Sequence, residues 1–239
     1  MSGIHPTAVI GRATIGRDVT IGPFAVIGDG AKIGDGCIFH PHVVIGDHAS
    51  IGAKCEVFPG SVVGKEPKGA GALARTPRFK RRLEIGAGCS IGPHAVIYYD
   101  VFIGSGCLIG DAASIREQTV IGEGSVIGRH VTINYANRIG SHTKIMDHSW
   151  IAGNADIGDS VFISGGVLTS NDNALGRSPF DDSEMLGPTI EDGAVIGIGA
   201  ILLPGLRIGA RAVVAAGAIV TKDVPADATI MGAAARVRE

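Results

Sequence analysis

Two segments of the chain concentrate charged side chains that could bind a substrate. Residues 65–84 hold basic side chains opposed only by Glu66 and Glu84. Because guanidinium groups form paired hydrogen bonds with phosphate oxygens, we expect arginines of this segment to bind a nucleotide diphosphate. An ordinary solvated loop is the alternative. The seven basic residues are Lys65, Lys68, Arg75, Arg78, Lys80, Arg81 and Arg82, of which Arg75, Arg78 and Arg81 are the candidate ligands.

The second segment, residues 170–189, reads SNDNALGRSPFDDSEMLGPT and is rich in carboxylates. Asp172, Asp181, Asp182 and Glu184 give it negative charge that could attract an amine. A plain polar loop would have the same composition. Chemistry at either segment therefore depends on the elements that position it.

Outside these two segments, an apolar and usually aliphatic residue recurs at every sixth position of the chain. From Ile85 to Ile163 every sixth position is isoleucine, and an earlier series from Val9 to Val63 has the same six-residue spacing. Six residues turn an α-helix by about 600°, so the isoleucines of a helix would point in three directions and form no single apolar stripe. A continuous strand would instead be apolar at every second position. Each unit must contain a bend.

The residue four positions after each aliphatic residue is small, as at Ala25, Ala31 and Cys37. A short strand with one inward aliphatic residue, followed by a turn with one small inward residue, explains both patterns. The pattern predicts an all-β solenoid that forms a single domain over residues 1–239. Insertions interrupt it at 65–84 and 170–189.

These hexads resemble those of the left-handed parallel β-helix acyltransferases. The resemblance implies three hexads in each triangular coil, so residues eighteen apart stack about 4.8 Å apart. Tyr135, Gly153 and Asn171 would then form one column, with Asn154 and Asp172 in the next. Asn154, Asn171 and Asp172 would converge where the second insertion leaves the helix, as the floor of a pocket. Asparagines chosen for turn geometry are the alternative.

The first two thirds of the chain resemble the UDP-N-acetylglucosamine O-acyltransferases, including SVVGKEP at the start of the first insertion. In that family the catalytic histidine lies in an HIAHD run. Aligning WIAGN with this run places Gly153 at the position of the family's catalytic base and Asn154 at the position of its acidic residue. O-acyl transfer would therefore lack its proton acceptor, although such an enzyme remains an alternative.

The runs ASIREQ, GRHVTINY, TKIMDHSWIAGN and TSNDN resemble the N-acetyltransferases of dTDP-linked 3-amino-3,6-dideoxyhexoses. This resemblance implies acetyl transfer from acetyl-CoA to the amino group of a nucleotide-linked sugar. Asn171 and Asp172 would orient the amine, and Asn154 would contact the sugar or the thioester carbonyl. Tyr135 and His148 are expected to contact the substrate. We expect positioning to supply most of the catalysis.

Residues 190–239 resemble the acetyl-CoA end of many hexapeptide transferases. The resemblance implies that the pantetheine of coenzyme A lies along these coils and that basic residues hold its phosphates. It also implies a homotrimer with active sites between neighbouring copies. The expected cofactor-binding residues are Gly199, Ala200, Gly217, Ala218, Lys222, Arg236 and Arg238.

Composition excludes several other classes of protein. A formal charge of −2 gives no case for nucleic-acid binding. No apolar run approaches the roughly 20 residues of a membrane span, and the N-terminus lacks signal-peptide features, so we expect a cytoplasmic protein without membrane association. No metal is expected, because the histidine spacing of a γ-carbonic anhydrase is missing. A non-catalytic assembly subunit stays an alternative.

The four cysteines fall at the small inward position of their hexads. Cys37 and Cys55 are eighteen residues apart, as are Cys89 and Cys107. Free cysteine packs as a small apolar residue, and no CxxC spacing suggests a metal or redox pair. We therefore predict four buried free thiols.

Overall fold

The computed structural model describes residues 3–69, 75–177 and 180–232. These residues form 33 short β-strands and one 3₁₀ turn at Asp182–Glu184. The chain runs through three faces in turn, and from β1 to β32 neighbouring strands of a sheet are three apart in the chain, whereas β33 pairs with β31. The result is a triangular parallel β-solenoid of about 12 coils, as the hexads predict.

The strands of the N-terminal half are β1 (Gly3–Ile4), β2 (Val9–Ile10), β3 (Thr14–Ile15), β4 (Thr20–Ile21), β5 (Val26–Ile27), β6 (Lys32–Ile33), β7 (Ile38–Phe39), β8 (Val44–Ile45), β9 (Ala49–Ile51), β10 (Glu56–Val57), β11 (Val62–Lys65), β12 (Leu83–Ile85), β13 (Ser90–Ile91), β14 (Val96–Tyr98), β15 (Val101–Ile103), β16 (Leu108–Ile109) and β17 (Ser114–Ile115). Those of the C-terminal half are β18 (Thr119–Ile121), β19 (Val126–Ile127), β20 (Thr132–Ile133), β21 (Arg138–Ile139), β22 (Lys144–Ile145), β23 (Trp150–Ile151), β24 (Asp156–Ile157), β25 (Phe162–Ile163), β26 (Leu168–Thr169), β27 (Thr189–Ile190), β28 (Val195–Ile196), β29 (Ile201–Leu202), β30 (Arg207–Ile208), β31 (Val213–Val214), β32 (Ile219–Val220) and β33 (Thr229–Ile230).

Three parallel sheets form the faces. Sheet A has 12 strands and runs from β1 to β33, sheet B has 11 and runs from β2 to β32, and sheet C has 10 and runs from β3 to β30. We name the corners by the sheets they join, so the chain passes corner A/B, then corner B/C, then corner C/A in every coil. Within the described residues no helix is long and apolar enough to cross a bilayer.

The core is the stack of inward aliphatic residues. Ile85, Ile103 and Ile121 pair in register on consecutive coils of sheet C, and each is almost fully buried. Burying side chains of this size contributes roughly 1.5–3 kcal/mol each, which compensates for strands of only two to four residues. The hexad period thus specifies the core directly.

The first coil departs from the predicted phase. Val9, placed in the inward series by its spacing, is 62% exposed, and Ile10 pairs instead with Ile27. Ile10 and Ile15 are five residues apart, so the hexad between them is one residue short. Because side chains alternate between the two faces of a strand, one missing residue turns Val9 outward.

The cysteine prediction is confirmed. All four thiols are free and buried, and they occupy consecutive coils of one inward column. Each S–H group donates to a carbonyl of the next coil, as from Cys37 Sγ to the Gly52 oxygen at 3.1 Å. Ser125 and Thr143 continue the same column with hydroxyl donors to the Gly140 and Gly158 carbonyls, both at 2.8 Å. From Cys37 to Thr143, each residue of this column therefore has a small side chain that also donates a hydrogen bond.

Candidate active site

Both insertions leave the solenoid at corner B/C. The first joins β11 to β12 and occupies residues 66–82, because Lys65 and Leu83 already belong to strands. The second joins β26 to β27 and occupies residues 170–188. Two loops that depart from one corner can meet along it, and the side chains of that corner define the candidate site.

One outward column of corner B/C is Tyr99, Glu117, Tyr135, Gly153 and Asn171, each eighteen residues from the next. Its members touch as stacking predicts. The Asn171 amide nitrogen donates to the Gly153 carbonyl at 3.2 Å and lies 3.5 Å from the Tyr135 hydroxyl. The Tyr135 ring covers Gly153 so closely that a Cβ atom there would lie 2.7 Å from the ring. A histidine at position 153 would not fit beneath this ring.

Glu117 is a fully buried carboxylate in that column. It accepts from Arg75 Nη1 at 2.6 Å, and Arg116 contacts it through Nε and Nη2, both at 3.1 Å. A buried carboxylate requires such partners, since removing a lone charge from water is costly. Arg75 belongs to the first insertion, so this ion pair fastens that loop to the solenoid.

Arg75 is itself largely enclosed, with 12% of its side chain exposed. Its guanidinium lies over the Tyr135 ring at 3.7 Å, and Nη2 donates to Gln118 at 3.3 Å. Its Nε atom is buried and has no acceptor among the described residues, and it lies 3.8 Å from the Asp182 carboxylate of the second insertion. Arg75 therefore holds the two insertions together at the level of Tyr135.

The other two arginines of the predicted anion site lie elsewhere. Arg81 contacts Asp47 and Glu66 at 3.3 and 3.4 Å and lies beside Tyr99, two coils below Tyr135, which is about 10 Å away along the axis. Burial raises the pKa of the Tyr99 hydroxyl. Arg78 is exposed and borders the space between the insertions. The three arginines are thus separated, and Arg78 is the one whose exposed side chain borders this space.

A cavity of about 490 Å³ separates the insertions. Arg75, Thr76 and Arg78 form the wall from the first insertion, so this side carries positive charge. The opposite wall belongs to the second insertion and contains Asp182, whose side chain is 60% exposed. The cavity therefore has one cationic and one anionic wall. The remaining lining residues are Phe180, Asp181 and Ser183.

The predicted pocket floor of Asn154, Asn171 and Asp172 is brought together at this corner. Asn154 donates from Nδ2 to the Met185 carbonyl at 2.7 Å, which anchors the second insertion. The Asp172 carboxylate accepts from the backbone N–H groups of Ala174 and Gly176, both at 2.7 Å. Among the described residues no donor meets the amide oxygen of Asn154 or Asn171. These two oxygens are available to a ligand N–H group.

His148 stands at a different corner. Its ring stacks on His130 with centroids 5.1 Å apart at corner A/B, away from Asn154 and Asp172. The predicted His130–His148 column is therefore present. Any contact of His148 with a substrate at corner B/C would need a second molecule or a large ligand.

The predicted cofactor positions divide between surface and core. Gly199 and Gly217 are corner A/B residues with φ of 66° and 65°, and a Cβ atom there would meet open space. Ala200 and Ala218 point into the core, so they could offer a ligand only backbone atoms. Lys222 is exposed. Arg236 and Arg238 lie outside the described residues. Within the described part of the chain, no group of three His, Cys, Asp or Glu side chains could hold a metal ion.

A family model for bacterial transferase hexapeptide repeats matches residues 12–47 and 24–59, which overlap, and residues 187–222. These parts of the chain are therefore similar to hexapeptide repeats of bacterial transferases. A second family model, the GMPPB C-terminal domain, matches residues 79–178, which include most of corner B/C described above.

Curated relatives match over short segments. A serine acetyltransferase of Buchnera aphidicola is 38% identical over 81 residues, which is 34% of this chain and 30% of that protein. A 2,3,4,5-tetrahydropyridine-2,6-dicarboxylate N-acetyltransferase of Staphylococcus aureus is 56% identical over 48 residues, or 20% of each protein. The chain thus spans less than a third of the length of these relatives.

Solved structures show the same fold. The UDP-N-acetylglucosamine O-acyltransferase of Moraxella catarrhalis superposes with a TM-score of 0.53 at 22% identity, covering 83% of this chain and 66% of that one. Another UDP-N-acetylglucosamine acyltransferase superposes with a TM-score of 0.57 at 24% identity, covering 90% and 71%. At this identity the likeness establishes the left-handed parallel β-helix and leaves the reaction open.

Proposed function

We propose that the protein is an acetyl-CoA-dependent N-acetyltransferase that acetylates the amino group of a nucleotide-linked sugar, a dTDP-linked 3-amino-3,6-dideoxyhexose. Acyl transfer is the activity named for the matched serine and tetrahydropyridine-dicarboxylate acetyltransferases. The choice of an amine over a hydroxyl acceptor rests on corner B/C of this chain.

The observation that carries the proposal is the Tyr135 ring lying directly on Gly153. In the resembling O-acyltransferases this position holds the catalytic histidine, and here no histidine could occupy it. A hydroxyl acceptor needs a base to become a nucleophile, whereas an unprotonated amine already carries its lone pair. An amine acceptor is therefore the better fit to this corner.

The amide oxygens of Asn154 and Asn171 would hold the acceptor amine through its N–H groups. Both side chains are fixed by their amide nitrogens, to the Met185 and Gly153 carbonyls respectively. Fixed acceptors direct the nitrogen lone pair along one line, and such positioning can supply several kcal/mol of a reaction barrier. Asp172 would support them by holding the start of the second insertion.

The remaining substrate groups have matching surfaces. The cationic wall at Arg78 would bind the diphosphate, and the Tyr135 side chain lies beside it, under Arg75. Coenzyme A would lie along the C-terminal coils near the open corner residues Gly199 and Gly217, with Lys222, Arg236 and Arg238 as phosphate ligands. We also propose a homotrimer, since an isolated solenoid offers corner B/C only a shallow wall.

Single substitutions at this corner test the assignment. Asn154→Ala and Asn171→Ala should lower kcat by about 100-fold, the scale of a misplaced reactant, while the KM for acetyl-CoA stays unchanged. Arg78→Ala should raise the KM for the sugar nucleotide without that change in kcat. Full activity in both asparagine variants would remove the amine from this corner.

Asp172→Asn separates support from proton transfer. Asparagine keeps the shape and one oxygen of aspartate but loses the carboxylate. Substantial retained activity would agree with a supporting role. Near-complete loss with unchanged substrate binding would make Asp172 the base and overturn the proposed mechanism.

A further inference from the structure

One apolar patch interrupts the otherwise polar outer surface of sheet C. The outward row of this sheet runs from Thr14 to Arg207, one residue per coil, and its side chains are polar or charged except at Phe102 and Val120. Phe102 and Val120 pair in register on neighbouring coils, and each is 45% exposed. A ligand that covers the two side chains would remove this apolar surface from water.

A cavity of about 410 Å³ lies over this patch, beside corner B/C. Its volume is in the range of small-molecule sites. Phe102 and Val120 line the cavity from sheet C, and Arg82, Asp100 and Gln118 line it from corner B/C. The cavity thus combines an apolar floor with one polar edge. Its other lining residues are Glu84, Val101 and Thr119.

The polar edge consists of three side chains on consecutive coils. Arg82, Asp100 and Gln118 are eighteen residues apart, and the Asp100 N–H group donates to the Arg82 carbonyl at 2.6 Å. Arg82 Nε donates to Asp100 Oδ1 at 3.2 Å. Among the described residues no partner meets the Nη groups of Arg82 or Oδ2 of Asp100. Gln118 Oε1 accepts from Arg75 Nη2 at 3.3 Å, which leaves the Gln118 Nε2 group as a donor.

The edge therefore presents a donor, an acceptor and a donor in that order. The imide edge of thymine and of uracil has the complementary order, because each ring carries an N–H group between two carbonyl oxygens. Cytosine has an acceptor nitrogen in place of this N–H group, so the nitrogen lone pair would face the Asp100 carboxylate. Bringing two acceptors together in this way leaves both without a hydrogen bond, which is unfavourable. The edge thus favours imide bases over cytosine.

The cavity adjoins the space between the two insertions. Arg75 lines that space and also donates to Gln118, which lines the cavity on sheet C. Gln118 precedes Asn154 by thirty-six residues and therefore lies two coils, or about 10 Å, lower on the same corner. An amine at Asn154, a diphosphate at Arg78 and a base beside Asp100 would follow one another along corner B/C. This is the order in which a nucleotide-linked sugar carries them.

On the basis of the function proposed above, on which this step rests, we propose that the cavity binds the thymine or uracil base of the nucleotide-linked sugar. Phe102 and Val120 would hold the face of the ring, since bases stack on aromatic side chains and pack on apolar ones. Asp100 would accept from the ring N–H group, with Arg82 and Gln118 as donors to the two carbonyls. Asp100 is then a specificity-determining residue for the base.

Isothermal titration calorimetry of the whole chain with dTDP, dUDP and dCDP tests the base directly. The last two ligands differ only in the base, which is uracil in one and cytosine in the other. We expect dTDP and dUDP to bind with Kd values within a few-fold of each other, and dCDP to bind about 10- to 100-fold more weakly. Equal affinity for dUDP and dCDP, or no binding of dTDP and dUDP by the folded chain, would overturn the proposal.

Asp100→Asn tests the residue that distinguishes the bases. Asparagine keeps the shape of aspartate and accepts the φ of 61° at this position. Its amide can donate to the cytosine ring nitrogen, so the preference for dUDP over dCDP should fall to within a few-fold. Asp35→Asn is the matched control, because Asp35 forms the same kind of ion pair with an arginine eighteen residues earlier but lies near the N-terminus. The control should keep the wild-type preference, and an unchanged preference in Asp100→Asn would refute the role of Asp100.

Phe102→Ala tests the apolar floor. Loss of stacking should weaken the binding of dUDP and dCDP by a similar factor of about 10 and leave the ratio of their Kd values unchanged, unlike Asp100→Asn. Phe24→Ala is the control, since Phe24 is 56% exposed at corner A/B near the N-terminus. It should leave both Kd values unchanged. A Kd for dUDP that Phe102→Ala does not alter would place the base elsewhere and contradict the proposal.

Base binding and acetyl transfer are measured separately, so each can fail alone. Selective binding of dTDP and dUDP that depends on Asp100, without acetylation of any amino sugar, would refute the proposed function and keep the base site. Acetylation of dTDP-linked and dCDP-linked forms of one amino sugar with equal kcat/KM would refute the base site and keep the function.

Discussion

Arg75→Ala is the sharpest test of how the first insertion is held. Among the described residues, the substitution leaves Arg116 as the only cationic partner of fully buried Glu117, and it removes the guanidinium from the Tyr135 ring. Removing one partner of a buried ion pair costs about 3–5 kcal/mol, and the surviving Arg116 contacts favour the lower end. We expect about 3 kcal/mol, which corresponds to a roughly 100-fold change in an equilibrium.

This cost should fall on local opening of the insertion, because the solenoid core is untouched. The insertion contains trypsin sites at Arg78, Lys80 and Arg82. The rate of trypsin cleavage there should rise about 100-fold in Arg75→Ala, with little change in thermal unfolding of the solenoid. Arg81→Ala is the control, since its ion pairs are half exposed and worth at most about 1 kcal/mol. Cleavage of Arg75→Ala within a few-fold of wild type would refute the role of Arg75 as the fastener.

Three further predictions concern other parts of the molecule. Gly153→Ala should lower the free energy of unfolding by about 1–3 kcal/mol, measured with denaturant, because the new methyl group would lie 2.7 Å from a Tyr135 ring already covered by Arg75. An unchanged free energy of unfolding would mean that the ring can move away. Phe162 on sheet A and Trp150 on sheet B are large, apolar and exposed, so we expect them to lie in the contact between copies of the proposed trimer. Phe162→Glu and Trp150→Glu should each yield monomers by light scattering, whereas Arg138→Ala, which removes an ion pair on sheet C, should keep the wild-type assembly. Trimers in both glutamate variants would place the interface elsewhere. Contact with the Cys55 thiol and burial raise the pKa of the Cys37 thiol. The contribution of this thiol to stability is therefore complete below its unfolded pKa of about 8.5 and falls by about 1.4 kcal/mol per pH unit above that pH. Cys37→Ala should weaken this alkaline loss of stability, and a pH dependence identical to that of the wild type would contradict the prediction.

The periodic parts of the fold were predictable from sequence because one residue in six carries the information. Isoleucine at a fixed spacing specifies the core, and the same spacing placed the four cysteines in it. The prediction was wrong at Val9, where a five-residue unit between Ile10 and Ile15 shifts the phase by one. A single deletion is hard to recognise where valine and isoleucine are adjacent, since both are apolar.

The candidate site was less predictable, because its insertions have no period. The columns identified Asn154, Asn171 and Asp172 as neighbours, and the Gly153 departure as significant. They gave no sign that Arg75 would bind Glu117, which lies 42 residues away. The ASIREQ run marks Arg116, Glu117 and Gln118 as unusual, yet only the path of the loop shows that Glu117 is buried and paired. Charge counting likewise suggested three equivalent arginines, whereas the structure buries Arg75 and separates Arg81 from Arg78.

The central claim is that corner B/C accepts an amine. Release of free coenzyme A thiol should be measured with acetyl-CoA and two dTDP-linked 6-deoxyhexoses that differ only in an amino or a hydroxyl group at carbon 3. We predict turnover with the amino sugar and an amide product by mass spectrometry, with no turnover of its hydroxyl counterpart. Acetylation of the hydroxyl sugar at a comparable rate would contradict the account.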